Sequence, residues 1–503
     1  VPIYRESKGL KSHQMRKFIY ETLPLIKKLP ETLPESVVGG HELVSRAQAV
    51  EQMHFPGTYE QFHAAKKRVA FEELFEIIYA SLLNKSDNAE AKTKSIEFKE
   101  QLAKKFVKEL PFDLTDSQRK SAWDILKDLE SDKPMNRLLE GDVGSGKTVV
   151  AAMAILMALE NGFQVAYMAP TEILARQHAK TLSALLEPFG YRPELLIGGM
   201  TAANKKKAQD RVAKGTARLV VGTHALISKH VEFKNLGLLV VDEQHRFGVN
   251  QREELMKKAG YMPHVLTMTA TPIPRSLALT LYGELDISIL RQMPKGRKPV
   301  KTEIHSPNSR PQLYEKIEAE LEKGRQAFVV CPLISESDKL GVKSVEKEYE
   351  VLNKGPFKHR KIALLHGKLK PEEKEAIMND FADGKYDILV TTTVVEVGVD
   401  VPNATVMLIE GVERFGLAQL HQLRGRVGRS RYQSYCFVMP STSQKPSQRI
   451  QAFVRSTNGF KLAEMDLELR GPGEIYGARQ HGVLDLRIAK LSDTELISDA
   501  RKA

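Results

Sequence analysis

Gly141-Asp142-Val143-Gly144-Ser145-Gly146-Lys147-Thr148 is the stretch on which the reading of this chain turns. Its spacing, G-x-x-x-x-G-K-T, is that of a loop that joins a buried strand to a helix and wraps a phosphate chain. The glycines let backbone N–H groups turn inward with no Cβ in the way, and the helix they open adds the positive end of its dipole. Gly141, Asp142, Val143, Gly144, Ser145 and Gly146 are therefore expected to line ATP. Lys147 is expected to neutralise its β and γ phosphates, and Thr148 to hold Mg2+ through its hydroxyl. Further on, Leu236 to Val241 is an apolar run too continuous for anything but a buried strand, and Asp242, Glu243, Gln244 and His245 follow it. An open α/β sheet gathers its ligands at the carboxyl ends of its strands. Asp242 is thus expected to reach the hydrated metal, and Glu243 to polarise an attacking water.

Working outward, 503 residues are too many for one hydrophobic core. Residues 1–110 carry helical periodicity. Phe71, Leu74, Phe75, Ile78 and Leu82 fall on one face of a helix starting near Tyr59, with Lys66, Lys67, Arg68, Glu72 and Glu73 on the other. This reads as a helical linker or packing domain. Residues 111–292 alternate short apolar strands with helical patterns, the layout of a parallel sheet with helices on both faces. Strands are expected at 137–139, 165–168, 219–221, 238–241 and 265–268. The pattern repeats over 293–450, with strands at 328–330, 362–365, 388–390, 406–409 and 436–439, and residues 451–503 form a separate C-terminal region. The second set has no phosphate loop, so ATP is expected between the two domains, bound by the first and completed by the second.

The net charge of +12 suits a polyanionic partner, although a lysine-rich solvated surface gives the same total. The longest apolar stretch, Val149 to Leu159, is far short of a bilayer span. Cys331 and Cys436 each sit in an apolar run and read as buried thiols in a reducing compartment rather than a disulfide. No secretory segment is evident. The chain opens at Val1 rather than Met, as expected of a cut inside a longer protein.

Polar clusters follow several strands. Gln118 precedes the first and suits adenine recognition through its two-faced amide, or a surface position. Thr171 and Thr223 follow strands with small hydroxyl-bearing loops suited to the backbone phosphates of DNA, or to capping the next helix. Thr269-Ala270-Thr271-Pro272 leaves the strand beside the one bearing Asp242. The hydroxyls of Thr269 and Thr271 are placed to bond Asp242 or His245 and relay the nucleotide state. Arg424, Arg426 and Arg429 would repel one another unless an anion is expected there. Arg426 and Arg429 are the candidate fingers for the γ-phosphate.

At this point G-D-V-G-S-G-K-T, A-P-T-E-I-L-A-R-Q-H, D-E-Q-H-R-F-G, T-A-T-P-I-P-R, T-T-T-V-V-E-V-G-V-D-V-P-N-A and Q-L-R-G-R-V-G-R together resemble superfamily 2 helicases, and among them the RecG family of bacterial branched-DNA helicases. The resemblance implies an α/β fold: two RecA-like parallel-sheet motor domains, a helical N-terminal segment and a C-terminal translocation motif. It sets Gly398 and Asp400 against the ribose and γ-phosphate. The stretch from Asn458 to Gly482 resembles the family's duplex-translocation motif, which makes Arg470 and Gln480 coupling residues alongside His245, Thr269 and Thr271. It further implies a double-stranded DNA translocase working on forks and Holliday junctions in repair and recombination, in the bacterial cytoplasm, as a monomer. Single-stranded DNA-binding protein is a further candidate partner. Family members carry an oligonucleotide-binding wedge upstream of where Val1 stands. The rival readings are an RNA helicase on the same two sheets, and a non-catalytic DNA-binding scaffold. ATPase stimulation by duplex DNA against RNA separates the first, and the presence of Lys147, Asp242, Glu243, Arg426 and Arg429 argues against the second.

Overall fold

The computed structural model describes the chain except residues 1, 5, 7, 8, 91, 228–230, 244–260, 272–284, 295–297, 333–338, 393–399, 444 and 471–485. At 84, 87–90, 224, 227, 339–344, 371, 467 and 470 it describes the backbone only. Contacts divide the chain into two units, one holding residues 1–87 and 467–503, the other residues 88–273 and 285–466. Among the described residues no helix is long and apolar enough to cross a membrane.

Two parallel sheets make up the second unit. The first has strands β1 (Asn136–Gly141), β2 (Gln164–Met168), β3 (Glu194–Leu196), β4 (Leu219–Gly222), β5 (Leu236–Asp242), β6 (His264–Thr269) and β7 (Asp286–Leu290), in the order β3-β4-β2-β5-β6-β1-β7. The second has β8 (Lys301–Ile304), β9 (Gln326–Val330), β10 (Ile362–Leu365), β11 (Ile388–Thr391), β12 (Ala404–Glu410) and β13 (Tyr435–Met439), ordered β10-β11-β9-β12-β13-β8. All ten expected strands are present. The three additional ones, β3, β7 and β8, lie at sheet edges, where β3 and β7 are buried only in part, β8 has no fully buried residue, and the apolar signal is thin.

The helix Lys147–Glu160 is buried along Val149 to Leu159, so it reads as apolar on all sides rather than amphipathic. Each large side chain sunk there contributes roughly 1.5–3 kcal/mol. That helix anchors the loop before it. Register aligns the functional strand ends: Met268 of β6 pairs with Leu139 of β1 on one side and Asp242 of β5 on the other. Gly141, Asp142, Asp242 and Thr269 therefore emerge at one sheet edge. The segment 92–110 belongs to this unit as well, with Ile96 and Phe106 inside the core of the first sheet.

The first unit is built on the helix Tyr59–Glu90. Phe71, Leu74 and Ile78 are buried, as the periodicity predicts. The helix runs through Asn84 to Glu90, a polar stretch that contains neither Gly nor Pro to stop it. One feature differs from the sequence reading. Arg68, expected on the solvated face, is fully buried and paired with Glu72, 2.6 Å away one turn on, and with Glu31. A buried guanidinium is tolerated because two carboxylates answer it. On the same helix the Glu73 carboxylate accepts the backbone N–H groups of Arg487 (3.2 Å), Ile488 (3.1 Å) and Ala489 (2.8 Å).

Candidate nucleotide site

The phosphate loop leaves β1 and turns with Gly144 at φ 77° and Gly146 at φ 88°. A Cβ on Gly146 would lie 2.2 Å from Gln118 Nε2, so the turn and the close approach both demand glycine. Among the described residues no side chain caps the helix Lys147–Glu160, which leaves its first amides directed at the loop. Lys147 Nζ donates to the carbonyls of Gly141 (2.7 Å) and Asp142 (3.1 Å). Burial lowers the Lys147 pKa against the opposing pull of Glu243, Asp242 and Asp142. Among the described residues the buried Ser145 hydroxyl has no hydrogen-bond partner.

At the mouth of β5, burial tends to raise the Asp242 pKa. The hydrogen bond from His178 and the charges of His178 and Lys147 outweigh it and hold the carboxyl below its ordinary value. Glu243 is shifted the other way, raised first by burial and then by the neighbouring Asp242 charge, with Lys147, Arg426 and the Ala270 N–H pulling against them. Its backbone sits at φ 56°, a left-handed conformation that costs a residue with a Cβ about 1–3 kcal/mol. Two adjacent carboxylates thus have opposite tendencies: Asp242 stays ionised, suited to a cation, while Glu243 is the stronger base.

Asp242 is held by a chain that the sequence reading missed. His178 Nε2 lies 2.9 Å from Asp242 Oδ2, and because a carboxylate only accepts, the ring N–H points to it. His178 Nδ1 meets the Tyr167 hydroxyl at 3.1 Å. Asp242, one of the two expected metal ligands, is therefore held through His178 and Tyr167. Such outer partners fix the orientation of metal-binding oxygens. His178 is the last residue of A-P-T-E-I-L-A-R-Q-H. It sits on the helix Glu172–Leu186, 64 residues before Asp242, and nothing in that motif names Asp242 as its partner.

Several expected residues have different partners from those anticipated. Gln118 is buried: its Oε1 accepts the Thr115 N–H (2.8 Å) and its Nε2 donates to the Ser145 carbonyl (2.8 Å), so its amide braces the phosphate loop. Thr269 and Thr271 do not bond Asp242. Thr271 N–H donates to Thr269 Oγ1 (3.1 Å), closing the turn on itself, and the segment reaches Glu243 through the Ala270 N–H instead. Thr171 caps the helix Glu172–Leu186, accepting from Leu174 N–H at 3.4 Å. Thr223 follows β4 ahead of a short 3-10 turn, His224–Ile227. His245, Gly398 and Gln480 lie outside the described residues, as does the Arg470 side chain.

The second sheet brings its arginines to this edge. The helix Leu417–Arg424 packs so close to the phosphate loop that a Cβ on Gly425 would meet Val143 Cβ at 2.8 Å. Buried Arg426 is near enough to Glu243 for its charge to lower that carboxyl's pKa, and the Arg429 charge acts likewise on Lys147. Arg429 Nη1 pairs with Asp400 Oδ1 at 3.0 Å, and its Nε donates to the Gly425 carbonyl at 3.3 Å. Arg424 faces elsewhere, donating to the Phe453 carbonyl (3.0 Å) and lying over the Phe453 ring. Further ties join the sheets: Arg176 to Glu375 at 2.8 Å, the Asp400 N–H to Gln177 Oε1 at 3.2 Å, and Gln422 to the Thr271 hydroxyl.

A glycine loop with a lysine, an unpartnered buried hydroxyl, an ionised carboxylate and a cationic pair from a second sheet fit a magnesium–nucleotide complex. This is the two-sheet nucleotide-binding arrangement of the helicase class. Residues 115–280 match the family model for DEAD/DEAH box helicases and 310–431 the helicase conserved C-terminal domain. Residues 456–503 match the C-terminal part of domain 3 of the ATP-dependent DNA helicase RecG. The chain is 48% identical over its whole length to the ATP-dependent DNA helicase RecG of Thermotoga maritima, covering 65% of that protein. It is 45% identical to that of Streptococcus pneumoniae, covering 75%. A solved structure of RecG bound to a three-way DNA junction superposes with a TM-score of 0.83 at 43% identity, over 100% of this chain and 65% of that one. The chain belongs to the RecG family.

Proposed function

We propose that this chain is the motor of an ATP-dependent double-stranded DNA translocase that remodels branched DNA, stalled forks and Holliday junctions included. The observation that carries this is the convergence of Lys147, Asp242 and Glu243 of the first sheet with Arg426 and Arg429 of the second. Thr148 and Asp242 would hold Mg2+, which when bound screens the β and γ phosphates and sharpens their electrophilicity. Lys147 exchanges the Gly141 and Asp142 carbonyls for phosphate oxygens. Glu243 accepts the proton of the attacking water, and its raised pKa makes it the better base. Arg426 and Arg429 stabilise charge that develops on the transferring group, an effect on turnover more than on affinity. Gln118 links the adenine side of the site to the loop through Ser145. Gly398 and Asp400 set the second sheet against the ribose and γ-phosphate, with Asp400 steering Arg429.

Closure of the two sheets drives movement along DNA. Thr171 and Thr223 face the strand phosphates, and His245, Thr269, Thr271, Arg470 and Gln480 couple closure to translocation. The protein is read as a monomer of the bacterial cytoplasm, with single-stranded DNA-binding protein as a further partner. Replacing Lys147 with Ala is expected to abolish DNA-stimulated ATPase while duplex binding persists. ATP hydrolysis by Lys147→Ala near the wild-type rate would place the site elsewhere.

A further inference from the structure

Asp142, the second residue of the phosphate loop, is engaged from the second sheet by a side chain outside the arginine pair. His421 Nε2 lies 2.8 Å from Asp142 Oδ1, while His421 Nδ1 lies 3.0 Å from Arg424 Nη2. A guanidinium can only donate, so Nδ1 is an acceptor and the ring's single N–H is on Nε2, directed at Asp142. The tautomer is thus imposed by Arg424, and His421 here is a neutral donor rather than half of an ion pair. Arg424 is itself fixed by the Phe453 carbonyl at 3.0 Å and by the Phe453 ring. Phe453 belongs to the helix Gln448–Arg455 and is fully buried. His421 and Arg424 are buried too, so the bonds are shielded from water and any break leaves an uncompensated polar group.

The structure assigns to His421 a positioning role: a neutral, single-tautomer latch that ties the phosphate loop, through Asp142, to Arg424 and the helix Gln448–Arg455. This gives the nucleotide site a route into the second sheet that bypasses Arg426 and Arg429, and it rests on the reading of the site as a DNA-stimulated ATPase. A loop that rearranges around phosphates must move the Asp142 carboxylate, and the latch transmits that movement to the helix preceding the C-terminal region. The latch acts on closure, so its loss is expected to lower turnover more than nucleotide affinity.

The variants His421→Ala, His421→Asn and His421→Gln separate the possibilities in the full chain. Gln carries a donor and an acceptor at about the reach of the two ring nitrogens, whereas Asn is too short to meet Asp142. A charge-assisted hydrogen bond commonly carries about a tenfold effect or more. DNA-stimulated kcat should therefore fall about tenfold or more in the Ala and Asn variants, with KM for ATP within about twofold, and Gln should restore most of it. Asp142→Ala combined with His421→Ala should cost little beyond either alone, since both break one contact. Wild-type kcat in both the Ala and Asn variants, a Gln variant no better than Asn, or additive losses in the double variant would each overturn the latch. Lys147→Ala measured alongside keeps the two readings apart: if it too hydrolyses ATP normally, the site is wrong; if it is dead while the His421 variants are normal, only the latch is.

Discussion

Glu243 concentrates the chemistry of the site in one side chain. Its left-handed backbone aims the carboxylate, and the Ala270 N–H and Arg426 engage it from two directions. Burial and the Asp242 charge raise its pKa above the ordinary 4.5. The base must be unprotonated to act, so kcat is expected to fall as pH drops through this raised value, with an acid limb starting above the usual glutamate range. Asp242, lowered instead, stays ionised across that limb. A DNA-stimulated ATPase profile that remains flat down to pH 4.5 would remove Glu243 as the base. Lys147, Asp242 and Glu243 were legible in the sequence because their chemistry sits in contiguous motifs. The partners of Asp142 and Asp242 were not: His421 and His178 are far away in the chain, and a lone histidine on a helix face announces no partner.

At the level of elements, the phosphate loop and the helix Leu417–Arg424 meet at a close-packed junction. Gly425 permits an approach that any larger residue would block at Val143. Gly425→Ala should wedge the two sheets apart by a fraction of an ångström. Overpacking of this kind costs about 1–3 kcal/mol, which, if borne by the closed arrangement alone, lowers kcat about five- to hundredfold. Steady-state ATPase should show that loss with nucleotide affinity nearly unchanged; a fall in affinity with normal kcat would mean that the contact shapes the binding site rather than closure. The interior strands, and the largely buried edge strand β10, were legible because each reads as an unbroken apolar run. The edge strands β3, β7 and β8 were not, since a short strand with one flank open can alternate freely with polar residues. Arg68 misled for a related reason: helical periodicity assigns charge to the outside and cannot anticipate that Glu31 and Glu72 will make a buried site for it.

For the whole molecule, the surplus of twelve positive charges makes grip on a polyanion the expected mode of binding. Contacts to backbone phosphates release counterions, so log Kd for duplex DNA should rise steeply and linearly with log salt and depend little on base sequence. Fluorescence anisotropy over a salt series checks this, and salt-insensitive binding would contradict it. The two sheets could be read from the sequence because each is continuous in it. The first unit could not, because its two parts stand at opposite ends of the chain. The Glu73 carboxylate meets the amides of Arg487, Ile488 and Ala489 across a separation of 414 to 416 residues. Closing an unstructured loop of that length costs roughly 5 kcal/mol in chain entropy. The cost falls once residues 88–466 have condensed, because the distance to be bridged shrinks to the gap between the ends of a folded body. On a ribosome the long helix is therefore made well before it is finished, waiting for residues 487–489 to emerge before Glu73 finds its amides.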